Sequence, residues 1–313
     1  MSESGLSNLS PALKAYLFHD QTNDDGIIPY LSPLDFEGLN MEEHCFINSR
    51  GRNVSYFFYS YNGYKKDKLI VFLHGVGPGH RAYLREIVTL CKRGYRVLAP
   101  DYSGVGASGR DGLDSVLSPA RDVLELLDLL SAKEETVLAG HSLGGFAALC
   151  TLCRKSNIKK AVILSAPVSL DFFVSLQSNP EEFLAYEKAV SPDLCDIDIM
   201  AYLRKTDAKI LFIHSADDEV VPFDKTTGRI MKEIENPGFS FLIKEHRKHN
   251  PNYTDGAIAY MNAVFSEYFA RVADGTLDTA EKKKAFMADK SPMEMTHQDR
   301  SVFDRIVSLI ESP

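Results

Sequence analysis

The feature that most constrains the fold is a run of short segments that are apolar along their whole length, each followed by a stretch of helical periodicity. Residues 68–75, 95–101, 136–140, 158–165, 208–215 and 239–244 read as such strands, and 81–93, 114–130, 144–154, 226–234 and 255–271 as helices between or after them. A strand apolar on both sides must be covered on both sides. The alternation therefore predicts a mostly parallel sheet with helices on its two faces, an α/β fold. Two shorter β-rich runs, 45–48 and 54–61, flank the turn at 49–53 and predict an antiparallel edge. A chain of 313 residues suits one large domain of this kind.

The predicted organisation has three parts. Residues 1–42 form an irregular arm with one short helix, broken by Pro11, Pro29 and Pro33. Residues 43–272 form the core, and 273–313 form an extension that ends in a closing helix over about 297–311, its apolar stripe (Val302, Phe303, Ile306, Val307, Ile310) facing the domain. Thr296-His297-Gln298-Asp299 matches a capping box before that helix. Residues 169–207 are too long for a simple crossover and read as a small helical lid over the strand ends. The lid carries eight carboxylates against three basic residues.

Charge and cysteine usage exclude several classes. The net charge is −8, and the basic clusters (Lys282 to Lys284, Arg154-Lys155, Lys159-Lys160, Lys244 to Lys248) are short and lack interleaved aromatics, which argues against nucleic acid. Five scattered cysteines make no disulfide framework. Cys150 and Cys153 share one face of an apolar helix and read as packing. The opening MSESGLSNLS has neither a basic nor an apolar signal region, and no apolar run reaches membrane-spanning length. A cytoplasmic setting and no membrane span are the resulting expectations.

The chemistry centres on Gly140-His141-Ser142-Leu143-Gly144, placed where an apolar strand runs into a helix. A sharp strand–turn–helix needs small residues around the serine and lifts its hydroxyl above the sheet at a helix N-terminus. Backbone N–H groups there can hold a developing oxyanion. A serine hydroxyl needs a base, and the base an orienting acid, and in such sheets the order is Ser, then acid, then His. Asp217 and Asp218 both follow the strand 208–215, and Asp218 is preferred. His246 and His249 both follow the strand 239–244, and His297 comes later. His249, before the turn Asn250-Pro251, is far enough along to loop back over the serine. The glycine-bearing loop Gly75 to Gly79 offers the Val76 N–H as a second oxyanion donor beside that of Leu143. His19, His44, His74, His80 and His214 read as structural. No metal-ligand spacing is present, so neither metal nor cofactor is expected.

Taken in order, His74-Gly75, the run from Asp101 to Ser108, Gly140-His-Ser-Leu-Gly-Gly145, Ala216-Asp-Asp-Glu-Val-Val-Pro222 and His249-Asn250 resemble the α/β-hydrolase superfamily. The branch is the one with monoacylglycerol-lipase-like and serine-aminopeptidase-like members, over about residues 43–272. The resemblance implies Ser142 as nucleophile, His249 as base and Asp218 as acid, the last because the family's acid commonly stands four residues before the proline. It also implies Val76 and Leu143 as the oxyanion hole. The chain departs from the pattern at Lys248, where a glycine is usual, and at Ser103, where many relatives have arginine.

Together these readings predict a serine hydrolase acting on a small-molecule carboxylic ester. Lid residues Phe172, Phe173, Leu176 and Phe183 are the candidate substrate contacts. A serine aminopeptidase or amidase, or a thioesterase, would use the same residues. A binding protein on a hydrolase fold is the alternative of another class.

Overall fold

The structure is a computed structural model that describes residues 27–65, 68–133 and 135–313. Most of the predicted N-terminal arm lies outside the described residues; a 3₁₀ turn at Pro33–Asp35 falls within them. The sheet begins with strands β1 (Asn40–Ile47) and β2 (Asn53–Ser60), joined by a turn in which the Asn48 side chain accepts hydrogen bonds from the N–H groups of Arg50 and Arg52. There follow β3 (Leu69–Leu73), α1 (Leu84–Lys92), β4 (Arg96–Pro100), α2 (Ser118–Leu129), β5 (Thr136–His141), α3 (Leu143–Arg154) and β6 (Lys160–Leu164). Four short helices come next: α4 (Leu170–Ser175), α5 (Pro180–Val190), α6 (Pro192–Cys195) and α7 (Ile199–Leu203). The chain closes with β7 (Lys209–Ser215), α8 (Thr227–Glu233), β8 (Phe239–Lys244), α9 (Asp255–Ala273), α10 (Ala280–Met287), α11 (Pro292–Met295) and α12 (Arg300–Glu311).

The eight strands lie in the order β1-β2-β4-β3-β5-β6-β7-β8. β1 and β2 are the antiparallel edge, and every pairing from β4 to β8 is parallel. Successive side chains point to opposite faces, so each central strand feeds two cores. Val71, Leu73, Leu138, Ile210 and Phe212 pack with α2, α3 and the helices of 170–203. Ile70, Phe72, Val137, Ala139, Leu211 and Ile213 pack with α1 and α12. The fold is the α/β-hydrolase fold. Because parallel strands all end at one edge, the loops after β3, β5, β7 and β8 gather there.

Three predicted elements differ in detail. The helix expected over 81–93 divides into a 3₁₀ turn, His80–Tyr83, and α1. The helix expected from residue 114 begins at Ser118, with Pro119 in its first turn, where a missing N–H costs nothing. Asp114 is instead drawn out to the guanidinium groups of Arg121 and Arg50. The closing helix starts at Arg300 and is capped by Asp299, whose side chain accepts from Ser301 N. Thr296 does not form the expected capping box: its hydroxyl donates to the Pro292 carbonyl. Val302, Phe303, Ile306 and Ile310 are buried, as the stripe predicted. Among the described residues no helix is long and apolar enough to cross a membrane.

Candidate active site

β5 runs straight into α3, and Ser142 is the single residue between them. Its φ of 55° and ψ of −122° lie outside the regions open to most side chains, a conformation that persists only where the surroundings hold it. They do so by close packing. A Cβ on Gly144 would stand 2.1 Å from the Leu73 carbonyl oxygen, and one on Gly140 would stand 2.4 Å from the Gly144 carbonyl oxygen. The glycines flanking the serine thus let α3 approach both β3 and its own parent strand. Ser142 N–H donates to Leu164 O at 2.9 Å, and no side chain caps α3. The N–H groups of its first turn, Leu143 included, have no intrahelical acceptor.

After β7 the chain turns at Asp218, whose carboxylate is fully buried. Oδ1 accepts from the N–H groups of Val220 and Val221, both at 2.9 Å. Oδ2 stands 2.8 Å from His249 Nδ1 and 3.2 Å from His214 Nε2. Burial by itself would raise the Asp218 carboxyl. Hydrogen bonds from His214 and His249, with the His249 charge and the Val221 N–H, outweigh it and hold the group well below the ordinary carboxylate range. Asp218 is therefore ionised and its acceptor positions are filled.

His249 stands five residues past β8, on a loop in which His246 and Lys248 both take positive φ, 61° and 51°. Asp217 braces this loop, accepting from Lys248 N at 3.2 Å and from the Ser215 hydroxyl. Lys248 Nζ donates to Glu219 at 2.9 Å. Of the alternatives left open by the sequence, Asp218 rather than Asp217 meets His249. His246 is exposed, and so is His297, on the far side of α9 in the chain.

The loop after β3 closes over the serine. A Cβ on Gly75 would lie 3.2 Å from Ser142 Cβ and 3.3 Å from the His141 carbonyl oxygen, so a side chain here would push this backbone off the serine by a few tenths of an ångström. Val76, the next residue, is exposed.

A model of the Alpha/beta hydrolase family matches residues 70–259. The chain belongs to the alpha/beta hydrolase family. It is 25% identical to an AB hydrolase superfamily protein, YisY, of Bacillus subtilis, in an alignment covering 58% of this chain and 88% of that one. It is 30% identical to methyl jasmonate esterase 1 of Vitis vinifera, over 33% of this chain and 40% of that protein. An esterase of Pyrococcus furiosus shares the fold at a TM-score of 0.55 and 20% identity, covering 80% of this chain and 96% of that one. An acetyl xylan esterase of Paenibacillus sp. R4 does so at 0.53 and 16%, covering 80% and 95%. This alpha/beta hydrolase thus has esterase-like homologues.

The helical segment 170–203 of this hydrolase corrects the predicted substrate contacts. Phe183 has no exposed surface and Phe173 almost none; both belong to the core, with Phe173 against Phe146 of α3 at 4.9 Å between ring centres. Phe172 is half-buried and Leu176 is exposed, so only these two present surface to a ligand. Three of the lid's eight carboxylates are also engaged apart from one another. Glu187 is buried and accepts from Ser115 Oγ and Val116 N, Asp198 caps α7, and Asp207 pairs with Lys159. Cys150 lies in the core and Cys153 is half-buried on the same helix; burial pushes both thiols up, Cys153 to about 12. Among the described residues no group of three or more His, Cys, Asp or Glu could hold a metal ion.

Sequence reasoning missed three side chains. His214 was read as structural, yet it shares Asp218 Oδ2 with His249; its Nε2 also meets Val221 O at 2.8 Å and its Nδ1 meets Thr227 Oγ1 at 2.9 Å. His141 lies with its Nε2 2.7 Å from the His249 carbonyl oxygen and its ring 4.6 Å from the His249 ring. Tyr83 places its hydroxyl 2.9 Å from His141 Nδ1. His141 sits inside the serine motif, so its place beside the serine was legible. Neither of the other two contacts leaves a sequence signal: the 3₁₀ turn His80–Tyr83 brings Tyr83 near, and the exit from β7 folds Asp218 back onto His214.

Proposed function

We propose that this hydrolase is a serine esterase that transfers the acyl group of a small carboxylic ester to water. The observation that carries the reading is the Asp218–His249 bond at 2.8 Å, with the His249 carbonyl 2.7 Å from Nε2 of His141, the residue before a serine held on a strained strand-to-helix turn. With Nδ1 turned to Asp218, His249 keeps Nε2 for the serine. In this reading Ser142 Oγ attacks the ester carbonyl carbon and its proton passes to His249 Nε2. Asp218 stabilises the resulting imidazolium without taking its proton. The N–H groups of Val76 and Leu143 hold the negative charge on the former carbonyl oxygen. The C–O bond then breaks, and the alcohol leaves with the proton from His249. Water, deprotonated by the same imidazole, hydrolyses the acyl-serine and restores the enzyme.

The aminopeptidase reading would use lid carboxylates to hold a substrate amine, and the engagement of Glu187, Asp198 and Asp207 elsewhere weighs against it. The test is labelling by a fluorophosphonate and hydrolysis of p-nitrophenyl acetate and butyrate. Wild type should label and turn over. Ser142→Ala should not label, His249→Ala should lose activity, and His246→Ala should match wild type. A folded wild type that neither labels nor hydrolyses would sink the proposal in favour of a binding role. Faster cleavage of amino-acyl arylamides than of esters would replace it with the aminopeptidase.

A further inference from the structure

We propose that Tyr83 and His141 are a positioning pair that ties the loop carrying the oxyanion donor to the loop carrying the base, across the serine. The inference rests on the esterase reading above for its kinetic consequence, but its geometry stands apart from it.

The bridge has a defined direction. His141 Nε2 meets a carbonyl oxygen, that of His249, at 2.7 Å, so this nitrogen carries the proton. A neutral imidazole then leaves Nδ1 as an acceptor, and the Tyr83 hydroxyl, 2.9 Å away, must donate to it. The Tyr83 oxygen in turn lies against the Gly75 backbone, where a side chain at Gly75 would come within 2.5 Å of it. The run is therefore Gly75 packed against the Tyr83 oxygen, Tyr83 O–H to His141 Nδ1, and His141 Nε2–H to the His249 carbonyl. One end is Gly75, the residue before Val76, and the other is the backbone carbonyl of His249.

His141 must stay neutral for Tyr83 to be the donor, since a second ring proton at Nδ1 would make the Tyr83 oxygen the acceptor. Burial, reinforced by the facing His249, depresses its imidazole to about 3; the His249 carbonyl and Asp218 oppose this only in part. The His249 loop needs such an anchor, because two of its residues, His246 and Lys248, sit at positive φ without being glycine. Neither Tyr83 nor His141 reaches the reacting atoms in this scheme. They act through Gly75 and His249.

The experiment compares Tyr83→Phe, His141→Phe and His141→Gln with wild type. Phenylalanine keeps the ring and removes the bridge, whereas glutamine can still donate to the His249 carbonyl. For p-nitrophenyl butyrate, kcat should fall by about 10- to 100-fold in both phenylalanine variants with KM within about twofold, the scale of a catalytic group moved by an ångström. Glutamine should recover most of the loss. Proton NMR supplies a readout that needs no activity. The downfield His249 Nδ1–H resonance should be sharp in wild type, broadened in both phenylalanine variants and sharp again in the glutamine variant. An unchanged kcat in His141→Phe, or equal losses in the phenylalanine and glutamine variants, overturns the pair as a positioning device. An inactive wild type with the NMR pattern as stated would sink the esterase reading and leave the bridge. An unchanged His249 resonance in Tyr83→Phe would remove the bridge whatever the activity.

Discussion

At Asp218, a carboxylate without solvent contact stays ionised because four donors converge on it, two backbone N–H groups and two imidazoles. The arrangement fixes the His249 tautomer, since Nδ1 can keep its bond to a carboxylate only as a donor. Asparagine at this position would present an amide in place of one acceptor and favour the other tautomer. Asp218→Asn should therefore lower kcat for p-nitrophenyl butyrate by about 10³- to 10⁴-fold with a much smaller change in KM. A loss confined to KM would show that Asp218 acts on binding instead. His214, on the same oxygen, explains why Asp218 is held more firmly than one histidine alone would hold it. Lys248 shows how a departure from the family pattern is accommodated: it adopts φ of 51° where glycine is usual, and its N–H and Nζ are tied to Asp217 and Glu219.

At the level of elements, α12 matters beyond its position at the chain's end. Phe303 is 1% exposed and packs in the face built from β3, β4, β5 and α1, with Val302 and Ile306 beside it. Glu311, in its last turn, is held by Lys65, Lys68 and Tyr95, which keep its carboxyl down at about 2. The helix therefore completes one side of the sheet. Phe303→Ala should cost about 3–5 kcal/mol in urea denaturation, the transfer energy of the ring plus the cavity left behind. A cost under about 1 kcal/mol would mean that α12 docks only loosely. The His249 loop is fastened to this region too, since Asn252 donates to Glu86 of α1 at 3.0 Å and to Gln298 at 2.8 Å.

Across the whole molecule, two buried carboxyls set a pH dependence of stability. Burial pushes Glu86 and Glu187 each up to about 7, against hydrogen bonds that oppose the shift. In the unfolded chain both titrate near 4.5. Between these values the folded state keeps protons that the unfolded chain has released. The contribution of each group is thus fully present below about pH 4.5 and is lost as pH rises through about 7. Asp218, Asp299 and Glu311 shift the other way and titrate below this window. In urea denaturation these two contributions should therefore fall away between about pH 4.5 and 7, against the opposite contribution of His74 and His141, whose imidazoles burial holds down at about 4 and about 3 and which add stability as pH rises to about 6.5. Glu86→Gln, which cannot ionise, should lose about 2–3 kcal/mol less over that range. Parallel pH profiles for variant and wild type would show that Glu86 is already ionised in the fold.

The alternation of wholly apolar strands with amphipathic helices was enough to specify a parallel sheet clothed on both sides, because strand and helix periodicities are local properties that survive any packing. Gly140, Gly144 and Ser142 were legible for the same reason: a tight strand-to-helix turn leaves a short pattern in residues that touch one another along the chain. Helix starts were less legible, as at Ser118 and Arg300, since Asp114 and Thr296 found partners outside their own segments. The choices between Asp217 and Asp218, and between His246 and His249, turned on a one- or three-residue difference in loops of irregular backbone. That Asp218 and His249 are the pair that meets follows from where β7 and β8 lie side by side. Phe183 could not be told from a surface residue of a lid, because burial depends on what the helix lies against. Tyr83, His141 and His214 meet their partners across 58, 108 and 4 residues of chain. The 4-residue contact turns on the strand's exit and the longer two on the tertiary fold, for hydrogen-bond partners are set by proximity in space, which residue order encodes only through the folded chain.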